Sequence, residues 1–172
     1  SYRLDGVAAA AEAIGGRAAG ARDRAAFDRA VRLTLAGGLV LAGAAGAALT
    51  VAGPPVIARM AASVAVAAVA LAHLPWAAAT PLAGILAFQM DGVYIGATWT
   101  RDMALTMVGS LIGFLAAWAV LMPAFGNAGL WAAFLVFLGL RGVALAARMP
   151  GRARATFAAA PDRVTSPDRR AP

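Results

Sequence analysis

Four ionisable side chains stand inside otherwise apolar stretches of this 172-residue chain: Asp5, Glu12, Asp91 and Arg141. A charge within a lipid-embedded helix costs at least ~2.5 kcal/mol on insertion scales, so each is a candidate for ion or substrate traffic unless a partner neutralises it. Asp91 is followed by Gly92-Val93-Tyr94-Ile95-Gly96, which surrounds it with small residues and one phenolic hydroxyl. A carboxylate there can exchange a proton or a sodium ion where its surroundings are wet, and Tyr94 joins it as a pathway candidate together with Glu12 and Asp5. Arg141 has a structural reading: it pairs with Asp91 or Glu12, or it snorkels its long stem to the headgroups. At about 1.5 Å of helical rise per residue, Glu12, Asp91 and Arg141 lie roughly 8–11 Å inside the boundary marked by Arg17, Ala97 and Arg148, with Asp5 deeper.

Other chemistries find no support in the residue types. The chain has no Cys and one His, His73, so no metal site and no cofactor are expected. A serine nucleophile would need a nearby base, and His73 lies outside the spans assigned below. The Asp5-Gly6 pair invites comparison with membrane phosphatidyltransferases, which use DGxxAR and two further Asp one helical turn apart. Here Val-Ala-Ala-Ala follows, and Asp23 and Asp28 are five residues apart, so the match fails and no enzyme is expected. The formal charge of +7 and the pI near 11.6 are carried by Arg alone, in a chain without any recognisable nucleic-acid module. No nucleic-acid partner is expected.

The elements that must position these residues are membrane helices. The chain is 62% hydrophobic, 13% charged, and its mean hydropathy is +0.76; soluble domains carry about 25% charge. No ionisable side chain occurs between Leu33 and Arg59 or from Met103 to Leu140. Such runs read as bilayer-spanning helices. Residues 4–20 are expected as a partial span, and 33–52, 75–97, 103–122 and 130–147 as full ones. The fold class is therefore an all-α integral membrane bundle of about four full helices plus a partial N-terminal one, occupying residues 1–148. Gly53-Pro54-Pro55 is expected to end the first full span, Pro81 to kink the second and Pro123 to close the third. Residues 56–74 read as a short interfacial segment, and residues 149–172, rich in Pro, Arg and Asp, as a disordered tail. Ser1-Tyr2-Arg3-Leu4-Asp5 does not read as a signal peptide; it looks like a start in the middle of a helix.

Arg placement orients the bundle. With residues 17–32 inside, the inner segments carry five, one and six Arg, against one and none in the outer loops. The positive-inside rule then makes the tail cytoplasmic. Small-xxx-small spacings at Gly16/Gly20, Gly92/Gly96 and Gly109/Gly113 allow close helix approach. Trp76, Trp99, Trp118 and Trp131 read as an interfacial belt.

Specific strings add a resemblance. LDGVAAAAEAIGGRAAGARDRAAF resembles the eighth membrane helix and following loop of multidrug-and-toxin-extrusion (MATE) transporters. LPWAAATPLAGILAFQMDGVYIGATWTRDM resembles their tenth helix, and FGNAGLWAAFLVFLGLRG the join of the eleventh and twelfth. Within that family the strings resemble the DNA-damage-inducible F-like branch, and the similarity covers residues 1–148. The resemblance implies the C-terminal lobe of a twelve-helix secondary antiporter in the bacterial inner membrane. It would export cationic or amphipathic xenobiotics in exchange for H+ or Na+ as the coupling ion. It further implies that Asp91 falls where some members carry cation-coupling acids, and that the N-terminal lobe of the same chain is a missing partner. A piece of this length is not expected to transport alone. Two alternatives stay open: a flippase of lipid-linked saccharides from the same superfamily, and a non-transporting truncated remnant.

Overall fold

Ala, Leu and Gly-rich runs without competing polar side chains leave the backbone one good solution in lipid, the α-helix, because every amide and carbonyl must be satisfied within the segment. The computed structural model describes residues 2–158, with side chains from Gly6 onward apart from Val7. Five helices result: α1 (Tyr2–Gly20), α2 (Arg24–Met60), α3 (Val64–Gly96), α4 (Thr100–Phe125) and α5 (Asn127–Ala158). Helices α2 to α5 are each long and apolar enough to cross a membrane. Their outward faces are apolar, with Val40 and Val120 both 71% exposed, which is the reverse of a soluble surface and fits lipid contact.

Connections are minimal. Asp23 caps α2 by accepting from the Ala26 amide at 2.8 Å, and Ser63 caps α3 by accepting from the Val66 amide at 3.3 Å. Gly126, at φ +58, separates α4 from α5 in a conformation that suits glycine. Helix α3 is central, packing on α1, α2 and α5, while α4 lies mainly along α5. The end of α1, the start of α2, the α3–α4 turn and the end of α5 meet at one end of the bundle. Phe27, Tyr94, Leu145 and Ala153 are buried together there. The Arg-rich segments assigned to one side by charge thus share one end of the fold.

Four boundaries differ from those expected. Helix α2 continues through Gly53-Pro54-Pro55 to Met60. Two prolines forfeit two backbone bonds, whereas a break inside the apolar layer would strand several carbonyls. Residues 56–74 are accordingly not a separate interfacial segment; they are divided between the end of α2 and the start of α3, around the cap at Ser63. Pro123 lies inside α4, which stops at Gly126 instead. Helix α5 begins at Asn127 and runs through Pro150 to Ala158, so residues 149–158 are helical rather than disordered. Side-chain contacts described below hold that extension. Residues 159–172 of the expected tail lie outside the described residues.

Candidate functional site

The stretch Gln89–Ala97 of α3 carries most of the chemistry, and its small residues decide what can approach it. A Cβ on Gly92 would run into the Ala8 carbonyl of α1, and one on Gly96 into the Glu12 carbonyl. A Cβ on Gly16 would lie 3.0 Å from the Gly96 carbonyl oxygen. Helices α1 and α3 therefore touch backbone to backbone. On the other flank, a Cβ on Gly142 of α5 would lie 2.9 Å from the Ala87 amide nitrogen. This closeness lets the neighbouring Arg141 reach across to α3.

Arg141 donates from Nη2 to Asp91 Oδ1 at 2.8 Å and from Nε to the same oxygen at 3.2 Å. The Asp91 side chain stays 20% exposed and that of Arg141 12%. The second guanidinium nitrogen, Nη1, lies against Met107 Sδ of α4. Three helices thus converge on one ion pair. Of the two partners open to Arg141 from sequence, the structure selects Asp91; Glu12 is exposed on α1. The backbone of Asp5 lies in α1, but its side chain is outside the described residues. Tyr94 is fully buried, and its hydroxyl donates to the Leu145 carbonyl of α5 at 2.8 Å. That hydroxyl is committed to holding α3 on α5 one turn beyond the ion pair.

Sequence reasoning missed three participants. Gln89, with no exposed surface, donates from Nε2 to the Val31 carbonyl at 2.7 Å and to Thr34 Oγ1 at 3.0 Å, tying α3 to α2. Its Oε1 has no hydrogen-bond partner. The signal was a lone amide in an apolar span, two residues before Asp91. Asp102, at the start of α4, is buried and paired with Arg152 of the α5 extension; Arg152 Nη2 donates to Oδ1 at 2.8 Å. Trp99, read as a belt residue, instead donates from Nε1 to Thr156 Oγ1 at 3.1 Å. It stacks edge-on against Tyr94 and tilted against Phe27, which also meets Phe157 at 5.5 Å between centroids. The guanidinium of Arg24, which pairs with Asp28, lies 5.8 Å from the Phe157 ring centre. A ladder of polar contacts therefore joins α5 to α3 and α4, from Asp91–Arg141 through Tyr94–Leu145 to Asp102–Arg152 and Trp99–Thr156.

Among the described residues no group of three His, Cys, Asp or Glu could hold a metal ion. The arrangement offers one partly accessible carboxylate inside a span, held by one arginine from a second helix.

Comparison with known proteins gives the same direction. A family model described as MatE matches residues 4–119, from α1 into α4 and across Asp91. The DNA damage-inducible protein F of Escherichia coli (strain K12) is 35% identical over 147 residues, which make up 86% of this chain and 32% of that protein. The chain therefore spans about a third of the length of the curated relative it matches. No solved structure matches the chain.

Proposed function

The chain belongs to the MatE family, and we propose that it forms the C-terminal lobe of a secondary antiporter that exports cationic or amphipathic compounds in exchange for H+ or Na+. The observation that carries this reading is the Asp91–Arg141 pair: a carboxylate within a spanning helix, 20% exposed, bound by a single arginine on a single oxygen. An acid that binds a proton or sodium loses most of its attraction for arginine. Loading Asp91 would therefore loosen α5 from α3, while Tyr94–Leu145 and Asp102–Arg152 keep the Arg-rich end together. Exchange requires such a two-state element, with the ion and the cargo each favouring a different state. In this reading the protein lies in the bacterial inner membrane, and its Arg-rich end faces the cytoplasm, an orientation that the distribution of Arg supports.

The test uses the full-length protein in proteoliposomes, with efflux of a fluorescent cation followed under an imposed pH or sodium gradient. Gradient-driven efflux is expected from the wild type and a loss of at least tenfold from Asp91→Asn, with helix content unchanged by circular dichroism. Unchanged efflux from Asp91→Asn would remove Asp91 from the coupling site. Absence of efflux from a folded wild type would remove the antiporter reading.

A further inference from the structure

Arg148 stands where two grooves between α4 and α5 meet. One, of about 180 Å³, runs along the helix pair and is lined by Leu105, Gly109, Leu140 and Ala144, with Arg148 at its mouth. The other, of about 480 Å³, opens at the Arg-rich end and is bounded by Asp102, Arg148, Gly151 and Arg152. Charge in the second groove is unevenly committed. Asp102 and Arg152 neutralise one another, whereas Arg148 is exposed and has no ion-pair partner among the described residues. The first groove is apolar in effect: its hydroxyls, on Thr106 and Ser110, are spent on the carbonyls of their own helix. Its outer walls face lipid, with Leu105 56% exposed and Leu140 45%. A cation at the mouth of an apolar slot at the membrane boundary complements a molecule with an anionic head and a hydrocarbon chain.

We propose that the α4–α5 groove binds one anionic glycerophospholipid from the leaflet at the Arg-rich end. Its phosphate rests on Arg148, and one acyl chain lies along Gly109 and Ala144. The site is independent of the transport reading, since neither groove includes Asp91 or Arg141. Gly109 shapes it: a Cβ at that position would meet nothing within 4 Å, so the glycine leaves open space rather than a helix contact. Bound there, the lipid would bridge α4 to α5 beside the Asp102–Arg152 pair.

The test titrates purified full-length protein in neutral detergent with palmitoyl-oleoyl-phosphatidylglycerol or the matching phosphatidylcholine, counting retained lipid by native mass spectrometry. Phosphatidylglycerol should be retained in preference to phosphatidylcholine. Arg148→Gln should weaken retention about fivefold, the worth of one interfacial arginine towards an anionic lipid. Gly109→Leu, which fills the slot and keeps the charge, should weaken it about fourfold, as expected when one methylene is displaced. Arg101→Gln, an exposed arginine at the same end that lines neither groove, should change it less than twofold. Equal losses in Arg148→Gln and Arg101→Gln would overturn the site in favour of diffuse charge attraction. Full retention by Gly109→Leu would overturn the acyl slot, and so would displacement of the lipid by millimolar inorganic phosphate. Should Arg148→Gln fail to fold, the Gly109→Leu titration decides the matter alone.

Discussion

Where α1 crosses α3, Gly92 and Gly96 bring two backbones into direct contact, with no side chain between them at those two positions. Where α4 lies along α5, Gly109 and Gly113 have the same four-residue spacing. Yet a Cβ on Gly109 would meet open space, and one on Gly113 would meet only the tip of the Leu140 side chain, at 2.5 Å. In the first place small residues create contact, and in the second they create a groove. A spacing of small residues states that close approach is permitted. Whether backbones meet depends on what the facing helix presents: Ala8, Glu12 and Gly16 offer bare backbone to α3, whereas the Leu140 side chain of α5 stands over Gly113 of α4. The backbone crossing is a place for stability, and the open space at Gly109 is the place proposed for lipid.

Substitutions can break or sharpen that contrast. The largest effect is expected at the ion pair that ties α5 to the tightly packed side. Arg141→Ala would leave Asp91 uncompensated and cost about 3–5 kcal/mol in unfolding titrations. The Asp91→Ala, Arg141→Ala double variant should be less damaged than Arg141→Ala. Strictly additive losses would mean that the pair is not coupled. Next comes Gly92→Leu, which forces a side chain against the Ala8 carbonyl. It should destabilise by about 3 kcal/mol, the upper part of the range for overpacking, and make α1 accessible to protease. A variant as stable as the wild type would show that α1 is not held at this crossing. Gln89→Leu removes two interhelical hydrogen bonds but also the unpartnered Oε1, so a loss of about 1 kcal/mol is expected from the same titration. The smallest change is expected from Gly109→Ala on the groove side. It should shift stability by less than about 1 kcal/mol, and upwards, because alanine is the better helix former and no neighbour is displaced. A large loss there would mean that the α4–α5 groove is closed in the membrane.

Much of the fold was legible because lipid removes alternatives. Uninterrupted apolar runs without charge can satisfy their backbone only as helices, so the number and order of spans followed from composition, and the Arg-rich segments gathered at one end as their spacing around the spans implied. Helix ends were not legible at the prolines. The signal a proline gives in water, a break, is overridden where a break would leave carbonyls in hydrocarbon, as at Pro54 and Pro55. The extension of α5 past Pro150 depends on partners fifty or more residues away, since Trp99, Asp102 and Phe27 bind Thr156, Arg152 and Phe157.

The same division runs through the candidate site. Sequence alone determined that Asp91 and Arg141 must be reckoned with, because a charge in a span is too costly to be idle. It also put a phenolic hydroxyl beside them. Only the tertiary structure decided that Arg141 goes to Asp91 and not to Glu12, that the Tyr94 hydroxyl is spent on Leu145, and that Gln89 reaches across to Val31. Those outcomes turn on which helix faces meet and how closely. That is set by the packing of glycine faces such as Gly92 and Gly142, and no periodicity within a single helix contains it.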